Sequence, residues 1–179
     1  MTKSIELIPL VCLRCQTPVP AEPEEVAWVC AQCGQGLLLS EEKGTVPQVV
    51  NYAAGIIPNN KGKPFWVVTA QVALQRRTFG IGDQNQEAAR AWSVPRRFFV
   101  PAFTLPLEQL VEWGTRLLVQ PPNLQAGSPA SFLPVTLLPE DIKPMVEFIV
   151  MGVEANRKDK LKEVQISLQL GAPELWILP

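Results

Sequence analysis

Alternation between apolar and polar side chains is cleanest near the end of the chain. There EVQISLQL, residues 163–170, sets Val164, Ile166, Leu168 and Leu170 on one side and Gln165, Ser167 and Gln169 on the other. A period of two is that of a strand with one wet face. GAPELWILP then reads as a turn and a short last strand, closed by Pro179, which has no N–H to give to a further ladder. Earlier, PFWVVTAQVAL is apolar on both alternating faces at first and then mainly at Trp66, Val68, Ala70, Val72 and Leu74, the pattern of a central strand. RFFV, residues 97–100, is a second short strand bounded by Pro95 and Pro101.

Two stretches change to the helical period. After Pro106, Leu107, Leu110, Val111, Gly114, Leu117 and Leu118 fall on one stripe, with Thr104 as the expected cap and Pro121 and Pro122 as the stop. Glu112 and Arg116 are placed to pair on the wet side. A second helix is expected from about Asp141, because Pro144 fits only a first turn, where N–H groups have no partner in any case. Its stripe is Ile142, Met145, Val146, Ile149, Val150 and Val153, and Lys143, Glu147 and Glu154 form a narrow polar face. Trp113 of the first helix and Phe148 and Met151 of the second lie off their stripes. They either widen a core face or serve as anchors for a partner.

Two helices among strands that do not alternate regularly with them predict an α+β domain with a mixed or antiparallel sheet, over residues 63–179. Residues 44–62, with Gly44, Pro47, Gly55, Pro58 and the run NNKGKP, read as a linker. Residues 1–43 form a separate small module. Its content is set by the only four cysteines of the chain, Cys12 and Cys15 in CLRC and Cys30 and Cys33 in CAQC.

The form C-x2-C-x14-C-x2-C is close to the spacing of a four-thiolate zinc site. Two residues between ligands let a tight turn aim both sulfurs at one point, and the longer interval lets the chain run out and return. Gly34 suits a knuckle that needs positive φ. A disulfide or a redox C-x-x-C is the competing reading; no helical pattern follows either pair, as a redox site would want. Residues 8–40 resemble a zinc ribbon, the small β-hairpin module of transcription factors, polymerase subunits and many accessory proteins. CAQCG matches the second knuckle of that module, and CLRCQ has Gln16 where the first usually has glycine. The resemblance implies structural Zn2+ held by Cys12, Cys15, Cys30 and Cys33, with no open position for catalysis.

Composition narrows the function. The 179 residues are 47% hydrophobic and 18% charged, enough for a packed core and too little charge for a disordered chain. Sixteen basic residues against 17 acidic ones give no global field toward nucleic acid or an anionic membrane. With no histidine, Ser-His-Asp and Cys-His arrangements are excluded. Neither a phosphate-binding G-x-x-x-x-G-K-[ST] loop nor a G-x-G-x-x-G after a strand occurs, and Gly80 and Gly82 read as a loop tip. No apolar run approaches membrane-spanning length, and no secretory signal pattern opens the chain, so a cytoplasmic location is expected.

The function expected from these features is a non-enzymatic accessory or assembly protein that contacts other protein subunits, or further copies of itself, within a complex. No small-molecule substrate is expected. The alternative is a nucleic-acid binder that grips phosphates with Arg76, Arg77, Arg96 and Arg97 near Phe79, Trp92, Phe98 and Phe99.

Overall fold

The computed structural model describes residues 8–79, 84–157 and 160–179. The tip expected at Gly80 and Gly82 lies outside them. The described chain is α+β, with two sheets and three α-helices.

The larger sheet is organised around one long strand. β5, Lys63–Phe79, carries its 17 residues over about 55 Å. Its first half lies between two neighbours. On one side β6, Arg96–Pro101, pairs antiparallel from Phe65↔Pro101 to Ala70↔Arg96. On the other, β8, Glu174–Leu178, pairs antiparallel from Lys63↔Leu178 to Val67↔Glu174. β7, Lys160–Leu170, continues along that same side, antiparallel to β5 from Ala70↔Leu170 outward. β7 and β8 thus act as one long strand interrupted at 171–173, where the Gly171 N–H still donates to Thr69 O at 2.8 Å. β4, Val50–Tyr52, adds a short parallel strand to β8, making the sheet mixed.

Burial follows from these neighbours. Phe65, Trp66, Val67 and Val68 are all buried because both sheet faces are covered there; from Thr69 onward the residues Thr69, Ala73, Gln75 and Arg77 face water. On one face Trp66, Val68, Ala70, Val72, Phe98 and Val100 meet α2, Leu107–Val119, and α3, Ile142–Ala155. On the other, Phe65, Val67 and Phe99 meet Ala53, Phe103, Leu124 and Trp176. α2 serves both faces: Leu110 and Leu118 enter the larger core, and Trp113 and Leu117 the smaller one. A helix in that position covers the edge of β6, which would otherwise offer unpaired backbone groups.

The helices approach closely through glycine. A Cβ on Gly114 would overlap Ile149, and one on Gly152 would overlap Val111. α1, Gln84–Ala91, is a third helix that the sequence reading did not anticipate, on a stretch with little apolar periodicity. Thr104 is not the cap of α2. Pro106 precedes the helix with no side-chain cap bond, and the Thr104 hydroxyl lies 3.3 Å from that of Thr136. Arg116 lies over the ring of Trp113, 5.2 Å from its centroid.

The cysteines belong to a smaller antiparallel sheet of β1, Ala27–Val29, β2, Gly36–Ser40, and β3, Gly44–Pro47. The segment 44–62, expected as a linker, therefore contributes one strand to this sheet and one, β4, to the other. The two sheets also share a core. The Val26 N–H donates to Val135 O at 2.8 Å, Ala27 bridges to Val135, and Ala27 is buried with Trp66 and Val135 in the larger cluster.

Candidate metal centre

Each C-x-x-C pair sits in a turn closed by the same two backbone bonds. In the first, the Gln16 N–H donates to Cys12 O and the Cys12 N–H to Thr17 O, both at 2.9 Å. In the second, Gly34 donates to Cys30 O and Cys30 to Gln35 O, both at 2.8 Å. The residue after each second cysteine is left-handed, Gln16 at φ 59° and Gly34 at φ 72°. The first knuckle thus accepts a side chain where the second uses glycine, and the two turns are otherwise equivalent. An antiparallel bridge between Val11 and Pro18 closes the first; the β1–β2 hairpin carries the second.

The knuckles face one another across a small core of Cys12, Trp28, Cys30 and Leu37, packed on by Leu10, Val19 and Leu39. Buried Thr45 of β3 donates its hydroxyl to Val11 O at 2.8 Å and ties the first knuckle to the sheet. The Trp28 indole N–H donates to Glu25, which also accepts the Glu22 N–H.

The four sulfurs lie within 4.8 Å of one another, with Cys12 to Cys33 and Cys15 to Cys30 at 3.5 Å. Metal–sulfur bonds of about 2.3 Å in a tetrahedron require sulfur–sulfur edges of about 3.8 Å. Four soft sulfur donors at these separations could hold one metal ion, and Cys12, Cys15, Cys30 and Cys33 are together as the spacing predicted. Their protonation shows what a cation would relieve. The Thr17 hydroxyl, 3.1 Å away, with the Thr17 backbone, holds the Cys15 thiol down to about 6. The Gln35 backbone lowers Cys33, but burial and the sulfurs of Cys12, Cys15 and Cys30 outweigh it and push Cys33 up to about 12. Adjacent thiols cannot all ionise without a positive charge among them.

The remaining candidate residues are dispersed. Trp113, half-buried, stacks on Phe65 with centroids 6.1 Å apart and meets Phe103 edge-on at 5.9 Å. Phe148 lines a groove of about 550 Å³ with Leu105, Leu107 and Met145, and Met151 is exposed. α3, which carries Phe148 and Met151, lies on the sheet face opposite the Trp113 cluster.

The arginines lie within or at the start of their strands. Arg76 lies six positions along β5 from Ala70, the partner of Arg96, and Arg77 eight positions from Thr69, the partner of Arg97, about 20 and 26 Å away. Successive residues of a strand face opposite ways, so Arg76 and Arg96 share one face and Arg77 and Arg97 the other. Arg77 is exposed beside Glu163 at 3.6 Å. Arg76 is buried, its Nε 2.8 Å from Glu154 Oε2. Glu154 also accepts the Trp92 indole N–H at 2.8 Å and Arg157 Nε at 2.9 Å, and it is fully buried. The expectation of a wet Glu154 is therefore corrected: its helix flank turns onto β5. Strand parity carried the signal, since Arg76 continues the buried row of Trp66, Val68, Ala70, Val72 and Leu74.

Comparison with protein-family models, curated proteins and solved structures returns no match for this chain. Among the described residues, no helix is long and apolar enough to cross a membrane.

Proposed function

We propose that this chain is a non-catalytic zinc-ribbon protein that works by contact with other protein subunits in a larger complex. The carrying observation is the set of four sulfurs on two matched knuckles. Four thiolates complete a tetrahedron and leave no place for water or substrate, so the ion serves folding. Zn2+ is the ion of this reading, because closed four-thiolate tetrahedra on short hairpins are its structural form. The thiolates require a reducing compartment such as the cytoplasm. Division of the four arginines between two sheet faces, with Arg76 held by Glu154, supports the contact reading over the nucleic-acid alternative.

The test is native purification followed by metal analysis, light scattering on a sizing column and absorbance at 260 and 280 nm. One equivalent of zinc and a companion protein in the peak are the expected result. A visible iron–thiolate spectrum would overturn the choice of ion. Absence of any companion protein would overturn the subunit reading, and nucleic-acid absorbance removable by salt would transfer it to the arginines.

A further inference from the structure

Alternate residues of β1 turn their backbone groups to β2. The Leu39 N–H donates to Val26 O at 2.7 Å and the Cys30 N–H to Gln35 O at 2.8 Å, so Val26, Trp28 and Cys30 face that strand. Ala27 and Val29 therefore turn theirs the other way. Ala27 meets Val135 there, but among the described residues Val29 meets no strand. Beside it runs a groove of about 510 Å³, whose lining includes Glu25, Trp28, Val29, Tyr52, Pro129 and Phe132.

Two features of the groove select a cation. Tyr52 and Phe132 tilt their rings by 58° with centroids 6.4 Å apart, and both are only half-buried, so negative ring surface stays within reach. Glu25 is the one charged side chain among the described residues of the lining. Its Oε2 accepts the Trp28 indole N–H at 2.9 Å and the Glu22 N–H at 3.0 Å, which fixes the carboxylate. No bond among the described residues engages Oε1.

We propose that this groove receives an arginine side chain of a partner protein. The guanidinium donates to Glu25 Oε1 and lies against the rings of Tyr52 and Phe132, and the extended backbone that carries it pairs with Val29. This rests on the reading of the chain as a contact protein and names the chemistry of one contact. A guanidinium meets both features at once, because it is flat, weakly hydrated, and donates in its own plane while a ring covers its face. A quaternary ammonium uses the rings and leaves Oε1 without a donor. Val29 favours an arginine carried on a chain over a free guanidinium compound, since its N–H and C=O take a second extended backbone.

Capped peptides test the assignment. The probes are acetyl-Gly-Arg-Gly-amide and the same peptide with citrulline or lysine in place of arginine; citrulline keeps the outline of arginine without its charge. The natively purified full chain is titrated and the NMR shifts of the Trp28 indole N–H and the Val29 amide are followed. The arginine peptide should move both to saturation, with affinity at least about tenfold lower for the citrulline peptide and a similar loss in Glu25→Gln. The amide oxygen of that variant still accepts the Trp28 and Glu22 N–H groups, and unchanged circular dichroism marks it as folded. Tyr52→Leu, which removes one ring, should weaken binding as well.

No saturable shift with the arginine peptide overturns the proposal, and that result needs no variant. Equal affinity for the citrulline peptide overturns the role of charge, and equal affinity for the lysine peptide overturns the choice of guanidinium. Butylguanidinium separates the sources: binding as tight as that of the arginine peptide assigns the groove to a small molecule and overturns the protein partner. A chain that binds the peptide but purifies alone loses the subunit reading only. One that carries a companion protein and ignores the peptide loses only the groove.

Discussion

The matched knuckles allow one residue type to be tested against its own counterpart. Gly34 at φ 72° has nothing within 4 Å of where a Cβ would stand, so Gly34→Ala adds no clash and isolates the cost of left-handed backbone. That cost is about 1–2 kcal/mol for an L-residue. Gln16→Gly removes the same penalty from the first knuckle. Its side chain is exposed, so little packing is lost, and glycine's greater freedom in the unfolded chain takes back about 0.5–1 kcal/mol. The net expectation is a gain of about 0.5–1 kcal/mol. In a small metal module, ion binding and folding are one equilibrium. Zinc affinity should therefore fall about 5- to 30-fold in Gly34→Ala and rise about 2- to 5-fold in Gln16→Gly, at 1.4 kcal/mol per factor of ten. Competition with a chromophoric chelator reads both. Affinity unchanged in Gly34→Ala, or lowered in Gln16→Gly, would refute the reasoning that the two turns share one backbone requirement.

Other expectations concern the larger core. Glu154→Gln leaves Arg76 and Arg157 without the carboxylate they share and should cost about 3–5 kcal/mol in urea unfolding, whereas replacing Glu154, Arg76 and Arg157 all by methionine should recover most of it. A loss below about 1 kcal/mol would show that water reaches the cluster. Gly114→Ala forces a methyl to within 2.6 Å of Ile149 Cγ1 and should destabilise by about 1–3 kcal/mol, with partial rescue by Ile149→Val. Equal stability of the single variant would mean that α2 and α3 can separate freely.

Several features could be read locally because their causes are local. The knuckles were legible because two intervening residues suffice to aim paired sulfurs. The alternation in β7 and the stripe of α2 were legible because period and burial are linked along a single element. The early two-faced burial of β5 was also visible, as apolar residues at consecutive positions. Strand parity contained the placement of Arg76 as well, although the reading of it as a phosphate contact had required an accessible side chain.

Other features depend on residues remote in sequence. Glu154 looked polar on a helical wheel and is buried, because Arg76, 78 positions earlier, and Trp92 supply the hydrogen bonds that make a buried carboxylate tolerable. Residues 44–62 looked like a linker because glycine and proline punctuate them; β2 and β8 supply the partners that turn parts of the segment into strands. Trp113 lay off its stripe because α2 straddles a sheet edge and has two apolar sides instead of one. The sequence alone determined which side chains can meet a metal and which faces of each element are apolar, since both are properties of spacing. Only the tertiary structure decided which element covers which face, because burial and ion pairing depend on the partner that long-range packing brings alongside.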